Sequence, residues 1–328
     1  MIELQNVSKV YPRRGEEPIV ALDGISLTIP SGEIHGIVGE SGAGKSTLIR
    51  CLTALEHPSS GAILVDGQNL AALSAKELRE ARRTIGMVFQ GANLLDQRTA
   101  AGNIAYPLRL SGMGKVETRE RVSEMLTLVG IGDRSSSFPS QLSGGQRQRV
   151  GIARAMADGP SVLLCDEPTS ALDSETTEQI LTLLRNVRDT YGVTVLIITH
   201  EMDVVRKVCD SVTLLDHGRI VATGPVADVV TDVDSPLARM IVPAPDFSPL
   251  NRDGSIVDVS FTSHPGEPTG SRVMSLAAEY GADIGAGTFE TLGSVQIARL
   301  ALTIDPRKSS ELVAGLKKIG ASAEVRAA

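Results

Sequence analysis

A glycine-rich stretch near the N-terminus constrains the fold of this chain more than any other feature. The residues Gly39-Glu40-Ser41-Gly42-Ala43-Gly44-Lys45-Ser46-Thr47 follow a short apolar run, Ile34 to Val38, and lead into a segment with helical patterning. This order predicts a strand, a loop and a helix, and the spacing matches the phosphate-binding loop G-x-x-x-x-G-K-[ST]. Glycines let backbone N–H groups turn inward without a Cβ clash, and a helix N-terminus adds unpaired donors. We therefore predict a nucleoside triphosphate site.

The polar residues that end this loop carry the predicted cofactor contacts. Lys45 is expected to reach the β- and γ-phosphates, and Ser46 to place its hydroxyl on Mg²⁺. The alternative is a glycine-rich turn before an ordinary helix. That alternative does not explain why every fixed position of the motif is matched, or why a strand precedes it. ATP and Mg²⁺ are therefore the predicted cofactors.

A pair of acids ends another apolar run. Asp166 and Glu167 directly follow Val162-Leu163-Leu164-Cys165, and open α/β sheets bind their ligands at the carboxyl ends of strands. Asp166 suits a Mg²⁺ contact, usually through water, and Glu167 suits polarising the attacking water, because phosphoryl transfer depends on positioning and charge neutralisation. The alternative is a pair of solvated acids at a strand end. The presence of a phosphate loop in the same chain favours the functional role.

Composition and charge exclude several classes of protein. The 328 residues, 42% hydrophobic and 22% charged, are typical of a globular protein large enough for two domains. We expect no signal peptide and no transmembrane segment, so a membrane role requires a partner. The net charge of −7 and scattered basic residues argue against nucleic acid. Cys51, Cys165 and Cys209 lack C-x-x-C spacing and are predicted to be reduced thiols.

The order of elements predicts two domains of different classes. Buried apolar strands that alternate with helices indicate an α/β fold with a mostly parallel sheet, covered on both faces, and a helical subdomain between about Ala100 and Val129. A Pro-rich linker follows. After it, a β-α-β-β-α-β pattern predicts a small α+β, ferredoxin-like unit. The predicted boundaries are 1–242, 243–254 for the linker, and 255–328.

A second helix start has the chemistry of an anion site. Leu142-Ser143-Gly144-Gly145-Gln146 combines a hydroxyl with two glycines, but no Gly-Lys-Ser/Thr follows it, so it is not a second phosphate loop. With this motif the chain resembles ATP-binding-cassette (ABC) ATPases, whose signature motif it matches. In that family the signature of one subunit closes on ATP held by the other. A single copy of each motif therefore implies a homodimer with two shared sites.

The resemblance also assigns roles to isolated residues. It implies that Tyr11 stacks on adenine, that Gln90 of the Q-loop contacts Mg²⁺ and assists catalysis, that His200 is the switch histidine near the γ-phosphate, and that Asp173 belongs to the D-loop. For Tyr11 the alternative is an aromatic packed on a sheet edge. A lone histidine after a buried strand is more often structural, but its order beside the other motifs favours the functional role.

A closer resemblance covers nearly the whole chain. Asn93 to Thr99, Leu164 to Glu167, Thr199 to Val205 and Asp216 to Val221 resemble the ATPase subunit of bacterial methionine importers. This implies an ATPase peripheral to the cytoplasmic face of the cell membrane, two permease subunits, an extracytoplasmic substrate-binding protein and methionine as cargo. It also implies a C-terminal domain that binds the transported amino acid and stops hydrolysis.

Two positions depart from that family, and other functions stay open. Pro168 stands where those importers commonly have Ala. Asp283 stands where the ligand-contacting position often carries Asn; it could accept a bond from an α-ammonium, or be a solvated strand-end acid. An ATPase for another amino acid, or for export or lipoprotein release, shares the cassette, and the C-terminal domain could serve only to dimerise the subunits.

Overall fold

The structure is a computed structural model that describes residues 1–246, 254–264 and 266–326. The chain forms two compact units, Met1–Thr223 and Gly224–Ala328. Residues 224–242, predicted as the end of the cassette, thus belong to the second unit. Residues 247–253 of the predicted linker lie outside the described residues. The division into cassette, linker and regulatory domain stays a prediction.

The first unit contains two sheets and seven helices among its described residues. Its strands are β1 (Ile2–Tyr11), β2 (Ile19–Ile29), β3 (Ile34–Val38), β4 (Ser60–Val65), β5 (Gln68–Asn69), β6 (Ile85–Val88), β7 (Val162–Asp166), β8 (Thr194–Ile198), β9 (Ser211–Asp216) and β10 (Arg219–Pro225). Its helices are α1 (Lys45–Leu52), α2 (Ala75–Ala81), α3 (Ala100–Leu110), α4 (Lys115–Leu128), α5 (Gly144–Met156), α6 (Ser174–Tyr191) and α7 (Met202–Val208). Neither β9, β10 nor α7 was among the predicted elements.

The central sheet has the strand order β10-β9-β3-β8-β7-β6. The pairs β3–β8, β3–β9, β7–β8 and β6–β7 are parallel. Every residue of β3 and β8 is buried, as expected for strands covered on both faces. The predicted mostly parallel sheet is confirmed.

Different layers cover the two faces of this sheet. Leu163 and Cys165 pack with the helices α3 to α6, whereas Val162 and Leu164 pack with α1 and with strands β1, β2 and β4. The strands β2-β1-β4-β5 form a second, antiparallel sheet. One face is therefore covered by helices and the other largely by this sheet. The predicted helical subdomain consists of separate helices, since α3 ends at Leu110 and α4 begins at Lys115.

The second unit contains the predicted β-α-β-β-α-β order. Its elements are α8 (Val226–Val229), α9 (Pro236–Ile241), β11 (Ser255–Ser263), α10 (Thr269–Glu279), β12 (Asp283–Leu292), β13 (Val295–Ile304), α11 (Ser309–Lys318) and β14 (Ser322–Val325). The antiparallel sheet has the order β12-β13-β11-β14, and residues of α10 and α11 share its apolar core. This is the ferredoxin-like arrangement predicted from the pattern.

The segment before the predicted linker is bonded to this sheet. Arg299 on β13 is 5% exposed and donates a 2.6 Å bond from Nη2 to the Val233 carbonyl. The Ser322 hydroxyl donates to Asp234 at 2.9 Å. These contacts explain why residues 224–242 belong to the second unit.

Two smaller expectations concern the cysteines and membrane-spanning segments. Cys51, Cys165 and Cys209 are free thiols, as predicted. Burial raises the pKa of the Cys51 thiol to about 11, so this side chain stays protonated at neutral pH. Among the residues that the structure describes, no helix is both long and apolar enough to span a bilayer.

Candidate active site

The phosphate loop joins β3 to α1, and its glycines are required by close backbone contacts. Gly44, the N-cap of α1, has φ 106°, and a Cβ there would lie 2.5 Å from the Ala21 carbonyl oxygen. A Cβ on Gly39 would lie 2.2 Å from the Leu215 carbonyl oxygen. No side chain caps the first turn of α1, so its N–H groups remain available to an anion. The loop is therefore built to bind phosphate.

The Lys45 ammonium lies over this loop. It donates to the carbonyl oxygens of Gly39 at 2.6 Å and Glu40 at 2.9 Å. Burial lowers the pKa of Lys45, and the nearby charges of Glu167 and Asp166 oppose that shift. A bound triphosphate would add further negative charge beside this half-buried ammonium and favour its charged form.

One cleft of about 790 Å³ brings together most of the predicted site residues. It is lined by Ile19, Val20, Ala21, Glu40, Ser41, Gly42, Gly44, Lys45, Ser46, Thr47, Gln90, Asp166, Glu167, Ile198 and His200. The three predicted Mg²⁺ contacts, Ser46, Gln90 and Asp166, all lie in it. Hydroxyl, amide and carboxylate oxygens suit Mg²⁺, which keeps several waters and uses substrate phosphates as further ligands. The donor set therefore fits the ion.

Asp166 is the acid at the end of β7 in this cleft. Its pKa is raised, first by burial and then by the charge of Glu167, while Lys45 acts in the opposite direction. A half-buried carboxylate beside a second acid is electrostatically costly, and a cation bound there would reverse that cost.

Glu167 is held from both sides. Its Oε2 accepts a 3.0 Å bond from Gln90 Nε2, and its Oε1 lies 2.8 Å from His200 Nδ1. The backbone of Glu167 has φ 45°, a region that is strained for a residue with a side chain and is concentrated at functional sites. The three predicted catalytic side chains are thus in direct contact.

The signature motif and the D-loop each end at the start of a helix, α5 and α6 respectively. Ser143 caps α5: its hydroxyl oxygen accepts a hydrogen bond from the backbone N–H of Gln146. In return, the side-chain oxygen of Gln146 accepts a hydrogen bond from the backbone N–H of Ser143. Asp173 caps α6 by accepting from the Thr176 N–H at 2.8 Å. A Cβ on Gly145 would lie 2.3 Å from Thr176 Cγ2, so the two helix starts approach closely only because position 145 is glycine.

These motifs do not line the cleft of their own chain. Ser143, Gly144, Gly145, Gln146 and Asp173 are absent from its walls. The structure of one chain thus leaves the signature motif outside the cleft that holds the phosphate loop.

Two residues that line the cleft were not predicted from the sequence. Ile19 and Val20 at the start of β2 are 41% and 48% exposed and line the cleft. An apolar pair directly after the turn-rich segment that ends at Pro18 was the available signal. Tyr11, the predicted stacking residue, does not line the cleft, and its hydroxyl bonds to Glu56.

Asp283, the predicted regulatory contact, lies at the exposed start of β12. Its Oδ1 accepts a 2.9 Å bond from the neighbouring Ile284 N–H. A cleft of about 310 Å³ in this unit is lined by other residues, among them Phe261, Met274 and Phe289. Asp283 is not among the residues that line this cleft.

The combination of this loop, this acidic strand end and this signature helix defines an ABC-type ATPase. The family model described as "ABC transporter" matches residues 22–170. The methionine import ATP-binding protein MetN of Thermobifida fusca (strain YX) is 47% identical over 311 residues, 95% of either chain. That of Myxococcus xanthus (strain DK1622) is 45% identical over 331 residues, 99% of this chain and 98% of the relative. The chain belongs to this family of methionine import ATP-binding proteins.

Solved structures confirm the fold of the cassette. The dimeric cassette MJ0796, in a post-hydrolysis state with ADP and Pi, matches with a TM-score of 0.63 and 38% identity over 69% of this chain and 99% of that one. The cbiO1 protein from Clostridium perfringens, part of the ABC transporter complex cbiONQ, matches with a TM-score of 0.64 and 31% identity over 71% and 91%. The predicted ATPase class and cassette fold are thus confirmed.

Proposed function

We propose that this chain is the ATP-hydrolysing subunit of a methionine importer. The observation that carries the proposal is the single cleft in which Lys45, Gln90, Asp166, Glu167 and His200 meet, in a chain related over its whole length to methionine import ATP-binding proteins. Reconstitution of this chain with its permease subunits and substrate-binding protein tests the proposal. Methionine uptake should require ATP, and uptake of another amino acid instead would change the assigned cargo.

Hydrolysis at this cleft divides into binding and activation. The loop N–H groups and Lys45 hold the phosphates, while Ser46, Gln90 and Asp166 would hold Mg²⁺, which neutralises charge on the β- and γ-oxygens when bound. Glu167 orients the attacking water and accepts its proton. His200, 2.8 Å from Glu167, keeps that carboxylate in position. Gln90 donates to Glu167 at 3.0 Å and to Ser170 at 3.1 Å. Ser170 begins the segment Ser170-Ala171-Leu172-Asp173 that the resemblance assigns to the D-loop, so Gln90 connects Glu167 to that loop.

Two copies are proposed to share two sites. The signature residues lie outside the cleft of their own chain, and the similar cassette MJ0796 is dimeric. A second copy would bring Ser143 and the N–H groups of α5 to the ATP held by the first, adding anion-binding donors.

The permease is proposed to bind a groove beside the Q-loop. This groove, about 760 Å³, is lined by Phe89, Leu95, Tyr106 and Leu110 together with several arginines. These four apolar side chains are between 36% and 72% exposed, and an exposed apolar patch of this kind marks a protein interface. Residues of β6 and Phe89, which directly precedes Gln90, form part of its wall, so a bound permease helix could sense the nucleotide. Leu110→Asp should prevent copurification with the permease and leave ATP binding intact.

The second unit is proposed to bind the cargo and slow hydrolysis. A bound amino acid can do this only if it binds the separated dimer more tightly than the closed one. The assembled transporter should then lose ATPase activity in excess methionine. Truncation after Val242 is a poor test, because residues 224–242 belong to this unit. Asp283→Ala and Phe289→Ala on the intact transporter separate the strand-end contact from the 310 Å³ cleft.

A purely dimerising role for the second unit has one observation in its favour. Strand β12 is an edge strand of its sheet and exposes Ile284 and Phe289 at 48% and 62%. An edge strand with exposed apolar residues is a template for pairing with another copy. Failure of methionine to bind the full-length protein, with dimerisation lost in Phe289→Lys, would favour this role over regulation.

A further inference from the structure

Tyr11 belongs to a polar cluster beside the phosphate loop. Its hydroxyl donates a short hydrogen bond to Glu56 Oε2. The Lys9 ammonium lies 5.0 Å from the centroid of the Tyr11 ring and 3.3 Å from the same Glu56 oxygen. Arg50 of α1 donates to Glu56 Oε1 at 3.1 Å. Glu56 therefore binds both the hydroxyl of the ring and the cation that lies over one face of the ring.

The charges of this cluster are consistent with that arrangement. The pKa of Glu56 is lowered, first by the hydrogen bond from Tyr11. The pKa of Tyr11 is raised, first by burial and then by the bond to Glu56, while the Thr47 hydroxyl opposes the shift. The proton therefore stays on Tyr11 and the negative charge on Glu56. The side chains of Lys9 and Glu56 are only 16% and 21% exposed, so their attraction is partly sheltered from water.

We propose that Glu56 is a positioning residue for base recognition: it fixes the ring of Tyr11, with Lys9 against one face, so that the other face is ready to stack on adenine. The proposal rests on the ATP-hydrolysing function proposed above and on the role that the family resemblance implies for Tyr11, stacking on the base. Tyr11 pairs with Ile19 across strands β1 and β2, and Ile19 lines the nucleotide cleft, which places Tyr11 next to the wall of that cleft. A ring already held in place loses less conformational freedom when the base stacks on it.

The test compares a ligand that has a base with one that lacks it. Glu56→Ala removes the acceptor for Tyr11, and the full-length variant is titrated with MgATP and with magnesium tripolyphosphate. We expect ATP binding to weaken about threefold to tenfold, which corresponds to the freedom of one immobilised side chain. Tripolyphosphate binding should not change. In steady-state assays KM should rise while kcat stays within about twofold of wild type.

Two further variants connect the effect to Tyr11. Tyr11→Phe removes only the hydroxyl and should weaken ATP binding as Glu56→Ala does, and the double variant should add nothing, because both changes break one interaction. Glu56→Gln keeps an acceptor oxygen without the charge and should fall between wild type and Glu56→Ala. Arg50→Gln is the matched control, since it removes another partner of Glu56 and leaves the Tyr11 bond in place; it should bind ATP normally.

Three results would overturn the proposal. If Glu56→Ala weakens the binding of ATP and of tripolyphosphate equally, the substitution acts on the phosphate loop and not on base recognition. Normal ATP affinity in Glu56→Ala would remove the role altogether. Normal ATP affinity in Tyr11→Ala would remove the premise of the proposal, that Tyr11 contacts the base. If that variant still binds tripolyphosphate, the phosphate-binding site proposed above is intact, and only the proposal for Glu56 fails.

Discussion

The two compact units of this chain differ in how far their sequences specify a site. In the first unit, Lys45, Gln90 and His200 come from distant parts of the chain and line one cleft. In the second unit all six predicted elements are present in order, yet the single predicted contact, Asp283, lies outside the cleft of that unit. Phosphoryl transfer fixes both the type and the spacing of the residues it needs, whereas a ferredoxin-like fold fixes only an apolar periodicity. Motif chemistry predicts sites, and periodicity alone predicts folds.

Glu167→Gln gives the largest expected effect and tests the site of the first unit. It keeps the shape of the side chain but removes the base, so ATP hydrolysis should fall about 10²- to 10⁴-fold. ATP affinity should persist, and a closed dimer should accumulate, which size-exclusion chromatography with ATP would detect. Glu178→Gln, an exposed acid on α6 paired with Lys207, is the control and should hydrolyse normally. Turnover near wild type in Glu167→Gln would remove Glu167 from the mechanism.

Lys45→Ala should act on binding rather than on chemistry alone. It removes a charge-assisted contact to the phosphates worth about 1.5–3 kcal/mol, so the Kd for MgATP should rise about 10- to 150-fold. Calorimetry measures this directly. Lys76→Ala, on the neighbouring helix α2 and outside the cleft, provides the control. Unchanged affinity in Lys45→Ala would mean that the ammonium faces only the loop carbonyls it contacts in this structure.

Gly145→Ala should cost stability through a single methyl group. The new Cβ would lie 2.3 Å from Thr176 Cγ2, and overpacking of this kind costs about 1–3 kcal/mol. Thermal unfolding should show the loss. Thr176→Ser removes the clashing methyl but keeps the hydroxyl that donates to Asp173, so the double variant should recover most of the stability. A double variant no better than Gly145→Ala would show that α5 and α6 do not meet as described.

The smallest expected effect concerns a charge in the second unit. The hydrogen bond from Arg307 lowers the pKa of Asp305 to about 2 from 3.8, so the ionised carboxylate stabilises the fold above pH 3.8 and loses this contribution as the pH falls toward 2. Asp305→Asn should lower the Tm slightly at pH 7, and the difference should shrink in acid. A difference in Tm that stays constant with pH would show that the charge of the Asp305 carboxylate does not contribute to stability.

The sequence specified more of the central sheet than of its edge. Strands β3, β7 and β8 are short, mostly apolar and followed by motif residues, so their positions and their ligand-binding ends could be predicted. The hairpin of β9 and β10 was missed, although it supplies the Leu215 carbonyl that requires glycine at position 39. Contacts between backbone atoms leave no compositional signal. The contact of the Tyr11 hydroxyl with the Glu56 carboxylate was missed for a different reason: the two residues are far apart in the sequence, and no motif spacing joins them.

The central claim is that each ATP site is shared between two copies of this chain, and mixed dimers test it most directly. One dimer carries Lys45→Ala in one subunit and Ser143→Arg in the other; the second dimer carries both changes in the same subunit. Nucleotide trapped at each site is then counted. If the sites are shared, the first dimer keeps one intact site and the second has both sites damaged. The reverse result, one intact site only when both changes lie in the same subunit, would show that each chain builds its site alone and would contradict the account.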